Sequence, residues 1–376
     1  MKQRWFQWMV IVTVVVLAPA VLRAGGVTYR TENGEYVKIG GRIQLQYHMV
    51  DPDGGQSTDE ILFRRLRPYI EGSLHEDWMG KFQWDMGKSD LAIKDAYLKY
   101  TGCPYADFTL GNHGFPFSQE FLTSSKYQQL VERTFVGDHN YGTPDRQAGL
   151  SAAGTCADEL FAWHVAVAMG AIDPDTTKLD FDSVVQIDKG DDWNEGPMAG
   201  ARLAWQPLGR LKPSQGDFDG EPRISFHVGA FAWENDDDNL NPARSNDVDN
   251  VVGMEAGAAL RGYGCSLDLE YNRFTSDLMQ DTVTSGLYRN GETDLENYAV
   301  EGGYMVIPGR VELVGGYEVQ DADGYGDEWT RTSAGLNYFI REHDIKCQLT
   351  YRIGENLDGI EGNDADELFV QAQYVL

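Results

Sequence analysis

Apolar and polar residues alternate one for one along most of this chain, and that period of two limits what it can fold into. In the first such stretch Val37, Ile39, Ile43, Leu45, Tyr47 and Met49 share one face, while Lys38, Arg42, Gln44, Gln46 and His48 share the other. Phe82, Trp84 and Met86 oppose Lys81, Gln83 and Asp85 in the same way, and Val311, Leu313, Tyr317 and Val319 oppose Glu312, Glu318 and Gln320. Successive side chains of an extended strand point to opposite faces, whereas an amphipathic helix would repeat every 3.6 residues. Strands are predicted to start near residues 36, 60, 78, 91, 106, 146, 160, 197, 221, 250, 265, 293, 310, 328, 345 and 366, about sixteen in all, an even number that can close on itself.

Closure decides between a membrane barrel and an open sheet. In lipid each unpaired backbone group costs roughly several kcal/mol, so a spanning sheet must have no edge. The predicted connections mostly alternate short and long, as turns and loops at the two ends of a barrel do. Short ones include Gly262-Tyr-Gly264, Ile307-Pro-Gly309 and Arg341-Glu-His-Asp344; long ones include 171–196, 235–250 and 277–292. Two connections break the pattern: 209–220 is long where a short turn is due, and 88–90 is short where a loop is due. The last strand places Leu368, Val370, Ala372, Tyr374 and Leu376 on one face, as a closing strand requires. Trp78, Tyr100, Trp205, Tyr304, Trp329 and Tyr338 lie near predicted strand ends, where interfacial aromatic girdles form. The competing fold is a secreted antiparallel β-sandwich with one wet face.

The chain opens with Lys2 and Arg4, a mostly apolar run from Met9 to Leu22, then Arg23 and small residues. That is the pattern of a secretory signal over residues 1–24, cut after Ala24, with Ala20 as the other candidate. Residues 25–376 then form one barrel domain. No later run approaches the ~20 apolar residues of a membrane helix. A net charge of −28 argues against nucleic acid as a partner, since its binding needs clustered Lys and Arg. Cys103 and Cys156 fall in neighbouring predicted turns, where a bridge is sterically open, and Cys265 and Cys347 complete the set of four. There is no C-x-x-C, and the seven histidines are scattered outside any H-E-x-x-H. Neither a metal, a cofactor nor catalysis is therefore expected. A barrel lipase would need a Ser/His pair on its outer face, and no spacing supports one.

Two motifs carry more specific information. Lys94-Asp-Ala-Tyr-Leu-Lys-Tyr100 leads through a turn to Phe108-Thr-Leu-Gly111, then Phe115-Pro-Phe117, Leu122-Thr-Ser-Ser-Lys-Tyr127 and Glu132-Arg133. On the second strand stands Phe63-Arg-Arg-Leu-Arg67. Both resemble the phosphate-selective porin family (porins O and P), most strongly over residues 36–135. The resemblance implies an all-β transmembrane antiparallel barrel in the outer membrane of a Gram-negative bacterium, assembled as a homotrimer in lipid. It also implies passive diffusion of small anions, phosphate or polyphosphate among them. Residues 114–145 become the loop that folds inward and sets the constriction, with Phe115, Pro116 and Phe117 anchoring it. Its candidate pore-lining charges are Lys126 and Arg133.

Parity adds Arg42, Arg65, Arg67, Lys81 and Lys99 to the lumen, provided Leu62, Leu66 and Ile70 face lipid; Arg64 has the opposite parity and is expected above the bilayer or beside a bulge. Arg suits oxyanions because its planar fork donates paired hydrogen bonds. The plainer reading is that these cations pair with lumen acids such as Asp85 and Asp95 and brace the wall. The same parity turns Glu255, Asp268, Glu270, Glu301, Glu312 and Glu318 inward as well. The family pattern commonly carries a lysine shortly before the Pro-Phe pair, and Asn112-His-Gly-Phe-Pro-Phe117 has none. Two alternatives stand beside the anion channel: a general or cation-preferring porin, and a surface β-protein without a pore.

Overall fold

The computed structural model describes residues 26–376 apart from 33, 188–192 and 237–245; the signal-like segment 1–24 lies outside them. The chain forms β1 (Val27–Arg30), β2 (Tyr36–Pro52), β3 (Thr58–His75), β4 (Trp78–Asp85), β5 (Ala92–Tyr100), β6 (Asp107–Gly114), β7 (Arg146–Cys156), β8 (Phe161–Ile172) and β9 (Phe181–Ser183). There follow β10 (Asn194–Trp205), β11 (Arg223–Glu234), β12 (Val248–Gly262), β13 (Cys265–Leu278), β14 (Glu292–Ile307), β15 (Val311–Ala322), β16 (Trp329–Arg341), β17 (Ile345–Glu355) and β18 (Ala365–Val375). Consecutive strands pair antiparallel from β2 onward, β8 pairs with β10, and β18 returns to pair with β2 from Ala365↔Pro52 to Val375↔Arg42. Sixteen strands thus close a barrel, while β1 and β9 are short additions to β2 and β8. Each barrel strand begins within three residues of its sequence expectation.

The alternation has the expected consequence. Ile43, Leu45, Phe82, Leu110, Val167, Val228, Met254, Leu313 and Leu349 are exposed around the outside, as a lipid-facing band must be. Trp78, Trp205, Tyr304 and Tyr338 stand exposed with them, near the end where the turns lie. Trp329 departs from that girdle. It sits opposite the inward Gln320, is buried, and packs against Phe135 and Tyr141 at 4.8 and 5.6 Å.

The barrel is not hollow. After β6 the chain turns inward, and Phe115 and Phe117 dock edge-to-face on Phe231 of β11, with centroids at 6.0 and 5.0 Å. Glycines make the room: a Cβ at Gly200 would stand 2.7 Å from the Phe115 ring, and one at Gly253 only 2.2 Å from Phe231. The segment then makes a short helix, Gln119–Leu122, capped by the Ser118 side chain. From there it crosses the lumen and reaches the opposite wall, where Gln44 donates to Ser125 O, Lys346 to Gln128 O and Gln348 to Gln129 O.

Both irregular connections now have a physical account. Residues 206–222 rise into the barrel from the turn end, where Gln215 N donates to Tyr127 O of the inward loop and Gln215 Nε2 to Glu301. Phe218 packs against Phe339 and His343 there, at 5.0 and 5.1 Å. The short connection after β4 is a single turn, Gly87–Ser89, joining two of the shortest barrel strands. Cys103, Cys156, Cys265 and Cys347 are all free, and the bridge that the sequence left open between neighbouring hairpins is not formed.

Candidate functional site: the charged neck of the barrel

Two β-bulges organise the inner wall opposite the docked loop. On β3 the register steps from Gln44↔Arg65 to Leu45↔Phe63, leaving Arg64 as the extra residue. A bulge inserts one residue and re-aims its side chain. Arg64 and Arg65 consequently both point inward, and so does Leu62, contrary to the expectation that it faces lipid. Between β4 and β5 the register steps from Gln83↔Asp95 to Trp84↔Ile93, which turns Lys94 inward beside Asp95.

Each bulge holds one part of the loop. Arg64 makes a two-pronged bond to Glu132, Nε to Oε1 at 2.6 Å and Nη2 to Oε2 at 2.9 Å. Lys94 Nζ reaches Asp145 at 3.1 Å, where the loop rejoins the wall. Burial opposes charge on both acids, yet Arg64 and Arg65 hold the Glu132 carboxyl well below the usual range, and Lys94 and Arg146 do the same for Asp145.

The neck is the ring of charge between these anchors. Arg67 pairs with Asp85 at 2.5 Å, and Lys81 and Arg146 share Asp95 at 2.6 Å each. Arg65 lies 3.7 Å from Glu132 and donates to Gln44. Arg42 donates to Ser124 Oγ at 3.2 Å, and Arg133 to the carbonyls of Phe121 and Thr123 at 3.1 Å. Among the described residues, Arg42 and Arg133 have no carboxylate in ion-pair contact. The Nε–H groups of Arg42, Arg65 and Arg133 are buried without an acceptor. Arg133 lines a cavity at the loop end with Arg64, Lys88, Arg331 and Arg352. At the turn end a second cavity is lined by Asp95, Lys99, His113, Ser151 and His164.

Of the charges singled out in the sequence, Arg42, Arg65, Arg67, Lys81 and Arg133 gather at the neck. Lys99 stands toward the turn end, paired with Asp107 at 2.7 Å. Lys126 lies on the far side of the loop over the Tyr127 ring at 4.6 Å, with its carbonyl held by Gln373. Arg64 sits at a bulge, one of the two places its parity allowed, and the bulge brings it inward. Sequence parity missed Lys94, concealed by the second bulge, and Arg146, which opens a strand where parity has no run of residues to establish it.

The opposite wall is acidic and covered. Glu270 accepts the Glu120 N–H at 3.1 Å, Glu318 accepts that of Phe135 at 2.7 Å, and Glu312 accepts Gln129 Nε2 at 2.7 Å. These carboxylates satisfy donors of the crossing loop, which has no sheet ladder of its own to do so.

The sequence pattern of the family described as phosphate-selective porin O and P matches residues 37–375, nearly the whole chain. The chain belongs to this family. Its place is therefore the outer membrane of a Gram-negative bacterium, and the barrel is that of a porin. No curated protein matches this porin in sequence. Its fold is similar to that of the outer membrane channel DcaP of Acinetobacter baumannii, at 13% identity over 94% of this chain and 100% of that one, with a TM-score of 0.60. OmpF of Salmonella typhi, solved with daunomycin, aligns at 15% identity over 93% and 100%, TM-score 0.61. The anion-selective porin from Comamonas acidovorans aligns at 13% identity over 91% and 100%, TM-score 0.59.

Proposed function

We propose that this porin is a passive diffusion channel preferring small anions, phosphate or polyphosphate among them, and that it works as a homotrimer. The observation that carries the reading is the neck. Arg42, Arg64, Arg65, Arg67, Arg133, Arg146, Lys81 and Lys94 converge there, against the carboxylates Asp85, Asp95, Glu132 and Asp145. Among the described residues, Arg42 and Arg133 donate only to a hydroxyl and to backbone carbonyls, which leaves cationic charge at the neck that suits an oxyanion shedding part of its hydration. Selectivity is set by the charges at the narrowest ring and not by the net charge of the chain, so −28 is compatible with anion passage. The trimer rests on the family and on the trimer form of one fold neighbour, OmpT of Vibrio cholerae. No catalytic role is proposed.

The deciding experiment is the reversal potential of the purified protein in a planar bilayer under a potassium chloride gradient. An anion-directed potential, followed by phosphate competition against chloride current, supports the reading. A cation-directed potential gives the channel to the general or cation-preferring class.

A further inference from the structure

Beneath the loop helix, on the covered wall, three side chains from consecutive strands converge: His227 of β11, Glu255 of β12 and Glu270 of β13. One ligand atom from each lies within 4.8 Å of the other two, and His227 Nε2 is 4.0 Å from Glu270 Oε2. His227 is 3% exposed, and neither ring nitrogen has a hydrogen-bond partner. Glu255 Oε2 and Glu270 Oε1 are also buried and unpartnered. Such atoms are rare in folded proteins, and each calls for an explanation.

The other oxygens of the two acids are committed. Glu255 Oε1 accepts from Arg202 Nε at 2.8 Å, and the same guanidinium continues to Gln119 Oε1 at 2.7 Å. Glu270 Oε2 accepts the Glu120 N–H at 3.1 Å. These outer bonds hold both carboxylates beside the imidazole, the Glu270 oxygen at 4.0 Å from Nε2 being the one that also accepts from Glu120, as second-shell partners orient metal ligands. Gly257 sits opposite His227 in the ladder, where a Cβ would stand 2.4 Å from Nε2. A cavity of about 10 Å³ touches His227 and Glu270, the size that holds one water or one small ion.

We propose that His227, Glu255 and Glu270 bind one divalent transition-metal ion of the zinc type. An imidazole nitrogen with two carboxylate oxygens suits zinc, while calcium and magnesium favour oxygen-only shells. Zinc holds such ligands at about 2.0–2.2 Å, so side-chain adjustment alone closes the set around an ion. Arg202 offsets one carboxylate charge and leaves the other to attract the cation. The bound ion ties β11, β12 and β13 together and, through the Gln119 and Glu120 contacts, clamps the loop helix to the wall. The site lies away from the arginine neck, and its test is independent of ion preference.

The test uses the full barrel in detergent, stripped of metal by a chelator and dialysed, then titrated with zinc chloride by calorimetry, with bound metal counted by mass spectrometry. One zinc per chain is expected, with no comparable uptake of calcium. His227→Gln, which keeps size and polarity, should weaken binding by at least the roughly 10- to 100-fold that loss of a mere outer-shell partner costs, while the protein retains the gel migration of a folded barrel. Glu255→Gln serves as the second variant should the first fail to fold. Substoichiometric zinc in the wild type, undiminished binding in both variants, or calcium taken up in preference to zinc would overturn the proposal.

Discussion

The two sides of the lumen use charge in opposite ways. On the side of β2–β7, cations and acids share the neck, and three guanidinium donors are left over. On the side of β12–β16, Glu270, Glu312 and Glu318 are buried under the loop and accept its backbone and glutamine donors. The loop ends follow the same division. Over the second side the connections knit together: Leu287 N donates to Thr176 O, Gly324 N to Leu287 O, and Phe181 packs on Phe231 at 5.5 Å. Over the first side the connections after β2 and β4 are short. Net charge is therefore a poor guide to what an ion meets, because the wall glutamates Glu270, Glu312 and Glu318 are turned to the loop's donors.

The largest expected effect comes from reversing the first side. Arg65→Glu with Arg67→Glu should abolish or invert the anion preference, read as the reversal potential in a chloride gradient. An unchanged potential removes these arginines from the path. Next, Phe117→Ala should loosen the loop from its wall at a cost of about 3–5 kcal/mol, as truncations of fully buried aromatics do. Its readout is a lower temperature for loss of folded-barrel migration together with noisier current.

Neutralising the second side sharpens the contrast. Glu312→Gln with Glu318→Gln should leave ion preference nearly unchanged and destabilise loop docking by about 1–3 kcal/mol, through weakened buried hydrogen bonds. A strong rise in anion preference in that pair would mean that ions meet the acidic wall after all.

The smallest effect expected is on pH. His139 Nδ1–H in the inward loop donates to the Asp180 carboxylate at 2.6 Å. Burial opposes its charge, but Asp180 and then Asp138 raise it from 6.5 to about 9. A raised histidine contributes stability that is fully present below pH 6.5 and is lost as pH rises through about 9. Current fluctuations should therefore grow between those limits in the wild type and lose that dependence in His139→Ala. The pair is partly open to solvent, so the effect should be small and weakened by salt.

How much of this was legible in the sequence follows from the length scale of each feature. Strand positions are repeated local patterns, and Val37–Met49 or Val311–Gln320 announce themselves residue by residue. The inward aromatics at Phe115 and Phe117 were readable through the family motif. A bulge is a one-residue slip: at Arg64 it showed as a break in parity within a run of arginines, while at Lys94 it left no mark, and that lysine's inward turn went unread. Trp329 looked like a girdle residue by its place at a strand end, but it shares the inward parity of Arg331. The rise of 206–222 into the barrel depends on contacts of Gln215 and Phe218 with residues far along the chain. His227, Glu255 and Glu270 meet only because three strands align.

The division of the lumen is open to one direct measurement. In a background with Cys103, Cys156, Cys265 and Cys347 replaced by serine, Ser151→Cys and Ser266→Cys place one thiol on each side. Ser151 lines the cavity below the neck, and Ser266 lies beneath Gln129 of the loop. A charged thiol reagent added to open channels should cut the current of Ser151→Cys and leave Ser266→Cys unaffected. Block at Ser266→Cys with none at Ser151→Cys would place the ion path along the acidic wall and contradict the division.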